Sequence, residues 1–162
     1  MATDPPPDLS LEPINGPART VAQWLTTFHL VVVALDPFAH QSAWIVRTAA
    51  RILLNFQEAD CRIAWLVAGK PDECRAFLGR WADEILTFSD PEGSAIKALG
   101  LEHLPAIVHL ATDGSVMGAA EGWDPAEWRE VTTRLARIMA WSAPKIPAAD
   151  DPGPFPGVPL VE

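Results

Sequence analysis

The chain alternates between two patterns of apolar positions. Short apolar runs rich in β-branched residues, of the kind that form buried strands, occur at residues 29–35, 62–68 and 105–111. Between and after them, apolar residues recur every three or four positions, most clearly in 41–57 and 128–138. Strands that alternate with helices and end in a hairpin predict an α/β domain with helices on both faces of one sheet.

Residues typical of turns and helix starts fall at the boundaries of these runs. Asp113-Gly114 predicts a hairpin turn, because this pair tolerates the positive φ angles that such turns need. Asp124-Pro125 predicts the capped start of the last helix. Asp36 follows the first strong strand directly and stands before a proline, so we expect it to cap the next helix.

Proline separates the two ends of the chain from its middle. Eleven of the 16 prolines lie outside residues 18–141. We therefore predict a flexible proline-rich head at 1–17, one domain at 18–142 and a proline-rich tail at 143–162. A solvated tail is the simpler expectation. The alternative is that its apolar side chains dock along a groove of the same or a neighbouring molecule; these are Phe155, Val158, Leu160 and Val161.

The charge balance excludes some classes of partner. A net charge of −9 argues against nucleic acid and anionic membranes, because both require a basic surface. No apolar run approaches the ~20 residues that span a bilayer, and the first residues do not have the pattern of a secretory signal. We expect a cytoplasmic protein that carries no cofactor.

One segment has a specific resemblance: Leu99-Gly100-Leu101-Glu102-His103-Leu104-Pro105-Ala106-Ile107-Val108. It resembles the cis-proline segment of the thioredoxin-like superfamily, and the similarity extends over about residues 20–141. A helix and a strand at about 71–88 correspond to an insertion found in the redoxin branch, which includes TlpA/ResA-like proteins and peroxiredoxins. The resemblance implies a three-layer α/β/α sandwich with a central mixed sheet and a cis bond before Pro105.

The reactive motif of that superfamily is missing. A C-x-x-C motif would fall on 40–43, which reads His-Gln-Ser-Ala, and the peroxiredoxin pattern would place its cysteine at Trp44. Disulfide exchange and peroxide reduction both need a thiolate. The chain has two cysteines, Cys61 and Cys74, and neither lies at this position.

The resemblance also implies a substrate groove formed by three loops. In thioredoxins the cis-proline edge pairs with an extended peptide through backbone hydrogen bonds. We therefore predict a redox-inactive module that binds a protein or peptide. Phe38 and Trp123 would make the groove aromatic, unless they pack into the domain or under the tail. The implied groove residues are Asp36, Pro37, Phe38, His40, Gln41, His103, Leu104, Pro105, Gly122 and Trp123.

Two alternative functions stay open from the sequence. Cys74 lies in the first turn of the inserted helix, where a thiol pKa can be lowered, so it is a candidate for redox sensing or for oxidoreductase or peroxidase-like chemistry. The second alternative is a structural subunit of an oligomer, assembled through the sheet edge or the tail.

The histidines fall into two groups. His40, His103 and Asp36 would meet across the groove and could bind a divalent metal or transfer protons, although exposed or capping histidines are the simpler interpretation. We expect no bound metal. His29 and His109 alternate with apolar strand residues, and we expect both to be structural.

Overall fold

The computed structural model describes residues 2–160, and the secondary structure within them follows the predicted alternation. The strands are β1 (Ser10–Pro13), β2 (Arg19–Thr20), β3 (His29–Leu35), β4 (Cys61–Val67), β5 (Leu86–Ser89), β6 (Ala106–Leu110) and β7 (Val116–Glu121). The helices are α1 (Val21–Trp24), α2 (His40–Leu54), α3 (Pro71–Leu78), α4 (Trp81–Glu84), α5 (Ser94–Ala98) and α6 (Pro125–Met139). None of these helices is long and apolar enough to cross a bilayer.

The strands form one mixed sheet in the order β2-β1-β5-β4-β3-β6-β7. Its centre is parallel, because β4 pairs in parallel with both β3 and β5. The flanking strands β1, β6 and β7 pair antiparallel with their neighbours. The prediction of an α/β sandwich around a central mixed sheet is confirmed.

Each face of the sheet carries its own hydrophobic core. Successive residues of β3 alternate between the two, as the period of a strand requires. Val31 and Val33 pack in the core that includes the buried faces of α2 and α6. Leu30 and Val32 pack in the second core, to which α1 and α5 contribute. The sheet is therefore covered on both faces, which explains why its central strands read as continuous apolar runs.

The head is part of this sheet, so the prediction that residues 1–17 are flexible is wrong for the residues that form β1. Glu12 pairs with Ser89 and Pro13 with Phe88, both on β5. Leu11 is buried in the second core. Proline is tolerated near the edge of a sheet, and the added strand covers backbone groups of β5 that would otherwise be unpaired. Met1, Val161 and Glu162 lie outside the described residues.

One predicted helix cap is confirmed and one is wrong. Asp124 caps α6 and accepts hydrogen bonds from the backbone N–H groups of Ala126 and Glu127, at 3.1 and 3.4 Å. Asp36 does not cap α2, because that helix begins one turn later, at His40. Its Oδ1 instead accepts from the Phe38 N–H at 2.9 Å, within the turn that precedes the helix.

Candidate functional site

The strand register brings the three predicted loops to one edge of the sheet. Ala34 at the end of β3 pairs with Ala106 at the start of β6, and Ala106 pairs with Glu121 at the end of β7. The loops that continue from these ends therefore meet. The Leu104–Pro105 bond between them is cis, as the resemblance implies. We call the surface formed by residues 37–41, 103–105 and 122–123 the Pro105 groove.

The C-terminal tail lies in the Pro105 groove, so the expectation of a solvated tail is wrong for residues 152–160, which we call the tail segment. Leu104 and Val158 exchange two backbone hydrogen bonds, of 2.8 and 3.0 Å. Trp123 and Phe155 do the same, also at 2.8 and 3.0 Å. Both pairs are antiparallel. The groove thus holds an extended chain by backbone pairing, and that chain is its own.

Side chains of the groove add contacts to this backbone pairing. Gln41 Oε1 accepts a hydrogen bond of 2.8 Å from the Gly157 N–H. The Trp123 indole N–H donates to the Pro152 carbonyl at 2.8 Å. The ring of Phe155 meets the ring of Trp44 edge-on, with 5.6 Å between centroids. The stretch that the resemblance assigns to a reactive motif therefore holds the tail segment through Gln41.

Two glycines allow the tail segment to approach the groove closely. A Cβ on Gly122 would lie 2.4 Å from the Pro156 carbonyl oxygen. A Cβ on Gly157 would lie 3.0 Å from Gly122 Cα and 3.1 Å from the Leu104 oxygen. Both glycines also have positive φ, of 71° and 80°, which other residues adopt at a cost. The fit therefore depends on the absence of side chains on both sides.

Of the two aromatic residues predicted to line the groove, only Trp123 packs against the tail segment. Trp123 is fully buried beneath the tail segment, and its ring packs edge-on against Trp128 at 5.1 Å. Phe38 is 63% exposed. Trp123 therefore packs beneath the tail segment, whereas the Phe38 ring stays exposed to solvent.

Two acidic residues that no sequence pattern singled out, Glu121 and Asp151, hold the groove and the tail segment in place. Glu121 Oε1 accepts from the backbone N–H groups of Glu102 and His103, at 2.6 and 2.8 Å, and so holds the loop before Pro105. Asp151 precedes the tail segment and pairs with Arg51 of α2 at 2.8 Å. Neither residue stands in a recognisable motif, and each acts on a segment distant along the chain.

The hypothesis of a histidine and carboxylate cluster is wrong. Asp36 is buried, whereas His40 and His103 are exposed. His103 Nδ1 instead faces Glu121, at 3.9 Å from Oε1. Within residues 2–160, no three His, Cys, Asp or Glu residues are grouped so that they could hold a metal ion.

The cysteines lie outside the groove and are both free. Cys74 is fully buried, and its thiol donates to the Gly69 carbonyl at 3.5 Å. Burial raises the pKa of Cys74, although a hydrogen bond with Ser89 opposes this shift. Burial and the neighbouring Asp60 raise the pKa of Cys61 to about 11. The prediction that the helix start lowers the pKa of Cys74 is therefore wrong, since desolvation is the larger effect.

The two strand histidines contact each other. His29 Nδ1 lies 2.9 Å from His109 Nε2, across the β3–β6 pair. Burial lowers the pKa of His109 to about 4, and the positive charges of His29 and Arg134 act in the same direction. His109 is thus a buried neutral side chain at physiological pH.

This sheet order, the cis-proline loop and the groove beside it together define a thioredoxin-like domain. No family model matches the chain, and no curated protein sequence matches it either. Solved structures do match it, at sequence identities that show the fold alone.

Three of these structures illustrate the likeness. A hypothetical protein from Sinorhizobium meliloti has a TM-score of 0.69 and 12% identity, and the match covers 99% of this chain and 93% of that protein. A secreted disulfide oxidoreductase of Mycobacterium tuberculosis has a TM-score of 0.61 and 12% identity, covering 80% and 96%. Peroxiredoxin Q of Xanthomonas campestris has a TM-score of 0.66 and 16% identity, covering 85% and 96%. The chain has the thioredoxin-like fold that the redoxins share.

Proposed function

We propose that this protein binds extended segments of other proteins in the Pro105 groove and does so without thiol chemistry. The observation that carries the proposal is the exchange of backbone hydrogen bonds at Leu104 and Trp123 with an extended chain. Backbone groups recognise any extended segment, which is the basis of recognition by strand addition. The tail segment supplies the example, since it satisfies both positions at once.

The chemistry of the groove supports binding rather than catalysis. Gln41 carries an amide, which can accept and donate hydrogen bonds but cannot form a disulfide. Cys74 is buried and held in its thiol form by a raised pKa, so little thiolate is available. A partner is therefore held by hydrogen bonds and apolar contacts.

The test requires an empty groove in a full-length chain. In Gly157→Val the new side chain would meet Gly122 and Leu104, so the tail is expected to leave while the groove keeps its native residues. This variant would be used to select binders from a random decapeptide library displayed on phage. We expect enrichment of peptides that the unmodified chain does not retain.

A matched control blocks the same groove. The control combines Gly157→Val with Gly122→Ala. The Cβ that Gly122→Ala adds would project into the space that the Pro156 carbonyl occupies in the unmodified chain, and so would block a bound peptide. The selected peptides are expected to lose binding to this double variant, with circular dichroism showing that it is folded. A library that yields no peptide specific for Gly157→Val, or peptides that bind the double variant equally, would overturn the proposal.

A second candidate function is thiol redox chemistry through Cys74. It is favoured by the solved structures that match the fold, which include a disulfide oxidoreductase and a peroxiredoxin. Insulin-disulfide and peroxide reduction assays of the unmodified chain, Cys74→Ser and Cys61→Ser would test it. Activity that only Cys74→Ser abolishes would establish this function, and no activity above background in any of the three would exclude it.

A further inference from the structure

We propose that the Pro105 groove selects segments that carry a large apolar residue and a glycine two positions later. The tail segment, with Phe155 and Gly157, is then its resident ligand, and a partner with the same pattern displaces it. This inference rests on the proposed binding function and adds the class of ligand to it.

The glycine of the pattern follows from the space that the groove leaves. Gly157 is buried, and a Cβ on it would come within 3.1 Å of His103 Cβ and of the Leu104 oxygen. Contacts this short force the neighbours to move, and two of the atoms involved belong to the backbone of Leu104 and Gly122. The Gly157 N–H is also needed, because it donates to Gln41. Any other residue at this position would bring its Cβ into these close contacts, and proline would in addition lack the N–H that donates to Gln41.

The apolar position of the pattern, two residues before the glycine, follows from what Phe155 contacts. Phe155 packs between the ring of Trp44 and the core that contains Trp123. Its backbone pairs with Trp123, so its position along the groove is fixed. Val158 pairs with Leu104 in the same way and is half-buried. The two backbone pairs fix Phe155 and Gly157 in the groove, and the spacing of these two residues sets the spacing of the pattern.

The prolines of the tail segment fit because their nitrogens are not used. The groove takes its backbone donors from residues 155, 157 and 158, and prolines occupy positions 154, 156 and 159. Proline also restricts the unbound chain to extended conformations, which lowers the entropy lost on binding. A proline-flanked segment is thus the ligand class that combines all the required donors with the smallest ordering cost.

Contacts outside the groove hold the tail in place, and its covalent tether makes it a competitor for any free ligand. Asp151 fixes the start of the segment on α2, and Leu160 contacts Gly93 beyond the groove. A tethered ligand competes at an effective concentration in the millimolar range. A free peptide of the same sequence is therefore expected to bind weakly to the unmodified chain and more tightly when the tail has been released.

The experiment measures binding of a fluorescein-labelled peptide with the sequence of residues 151–160 by anisotropy. The receptors are the full-length chain and two full-length variants in which the tail is expected to leave the groove, which we call release variants. These are Gly157→Val and Val158→Pro, the second of which lacks the N–H that donates to the Leu104 carbonyl. We expect the release variants to bind the peptide at least ~10-fold more tightly than the unmodified chain does. The same peptide carrying Gly157→Val is expected to bind them at least ~10-fold more weakly, as overpacking by a few methyl groups requires.

The outcome separates this inference from the proposed function. If the release variants bind library peptides but bind the tail peptide no better than its Gly157→Val form, the ligand class is wrong and the binding function stands. If they bind neither, both fail. If the unmodified chain binds the peptide as tightly as the release variants do, the tail is not a competing ligand and the inference is overturned.

Discussion

Cys74 and His109 are both buried, and burial shifts their pKa values in opposite directions because it favours the neutral form of each. Neither side chain reaches the Pro105 groove, so these shifts concern folding and thiol reactivity rather than recognition of a ligand. Each shift leads to a measurable expectation for a single residue.

His109 is expected to make the protein less stable in mild acid. Its pKa is about 4 in the native state and about 6.5 when unfolded, so below pH 6.5 the unfolded chain binds more protons. Stability is therefore lost as the pH falls from 6.5 towards 4. Urea unfolding should show that the unmodified protein loses about 2 kcal/mol more between pH 7 and pH 5 than His109→Gln does.

The exposed His40 provides the control for this experiment. His40→Gln replaces an exposed histidine and controls for the loss of one imidazole elsewhere in the chain. His29 and Arg134 face His109 and remain unchanged in both variants. Equal loss of stability in the unmodified protein and His109→Gln would show that His109 is not the responsible group.

Cys74 is expected to resist thiol reagents in the folded protein. In Cys61→Ser it is the remaining thiol, and it is both inaccessible and protonated. Its reaction with Ellman's reagent at pH 8 should be at least ~100-fold slower than in urea, because the reaction requires local opening. Rapid labelling of native Cys61→Ser would contradict the buried position and would favour the redox candidate.

At the scale of elements, the tail segment depends on an anchor that precedes it. Asp151 accepts hydrogen bonds from Thr48 and Arg51 of α2 and from the backbone N–H of Ala148, at 2.6 to 3.0 Å. Its side chain is 2% exposed, whereas that of Arg51 is 37% exposed. The hydrogen bonds of the carboxylate therefore contribute more than the partly solvated ion pair.

Asp151→Ala is expected to loosen the tail and to destabilise the domain by about 1–3 kcal/mol. Native-state hydrogen exchange should show faster exchange at the Leu104 and Val158 amides, which pair across the groove. The neighbouring Asp150 is exposed, and Asp150→Ala serves as the control with no expected change. Unchanged exchange at both amides in Asp151→Ala would show that the tail docks independently of this anchor.

The elements that the sequence predicts well are those specified by local pattern. The apolar runs of β3, β4 and β6 and the capped start of α6 contain their own signals, and the hairpin before β7 has its Asp113-Gly114 turn. The redoxin-like order of these elements then identifies the three loops of the groove. What these patterns leave undetermined is whether the groove is filled.

The head and tail could not be assigned from local pattern, because their structure depends on distant partners. Strand β1 exists where the free edge of β5 offers hydrogen bonds, and its four residues carry no strong periodicity. Asp151 meets Arg51 across 100 residues, in a tail whose prolines favour an extended chain with or without a partner. The Asp36 cap was not to be read from local pattern either, because its carboxylate accepts from Phe38 in the turn before α2.

At the scale of the whole molecule, both ends of the chain complete the domain. The head adds β1 to one side of the sheet and buries Leu11, while the tail fills the groove at the loops on the other side. The two ends differ in what holds them. Leu11 is buried in the core with Trp24 and Phe88, whereas the tail is held at the surface of the domain by hydrogen bonds, one buried carboxylate and the partly buried ring of Phe155.

This difference predicts that the head unfolds with the domain and that the tail can leave without it. Leu11→Ala is expected to lower the free energy of unfolding by about 2–4 kcal/mol, because it creates a cavity in a packed core. Urea unfolding followed by tryptophan fluorescence should remain a single transition, since Trp24 reports on the same core. Gly157→Val is expected to cost less and to leave the dependence of the free energy on urea nearly unchanged, because it exposes little core surface.

Glu12→Ala is the matched control for the head, since Glu12 lies beside Leu11 on β1 with its side chain exposed. It should change the free energy of unfolding by less than about 0.5 kcal/mol. An equally small effect of Leu11→Ala would mean that the head is not part of the cooperative unit. A core completed by the head and a groove closed by a separable tail are together what the proposed exchange of the tail for a partner's segment would require.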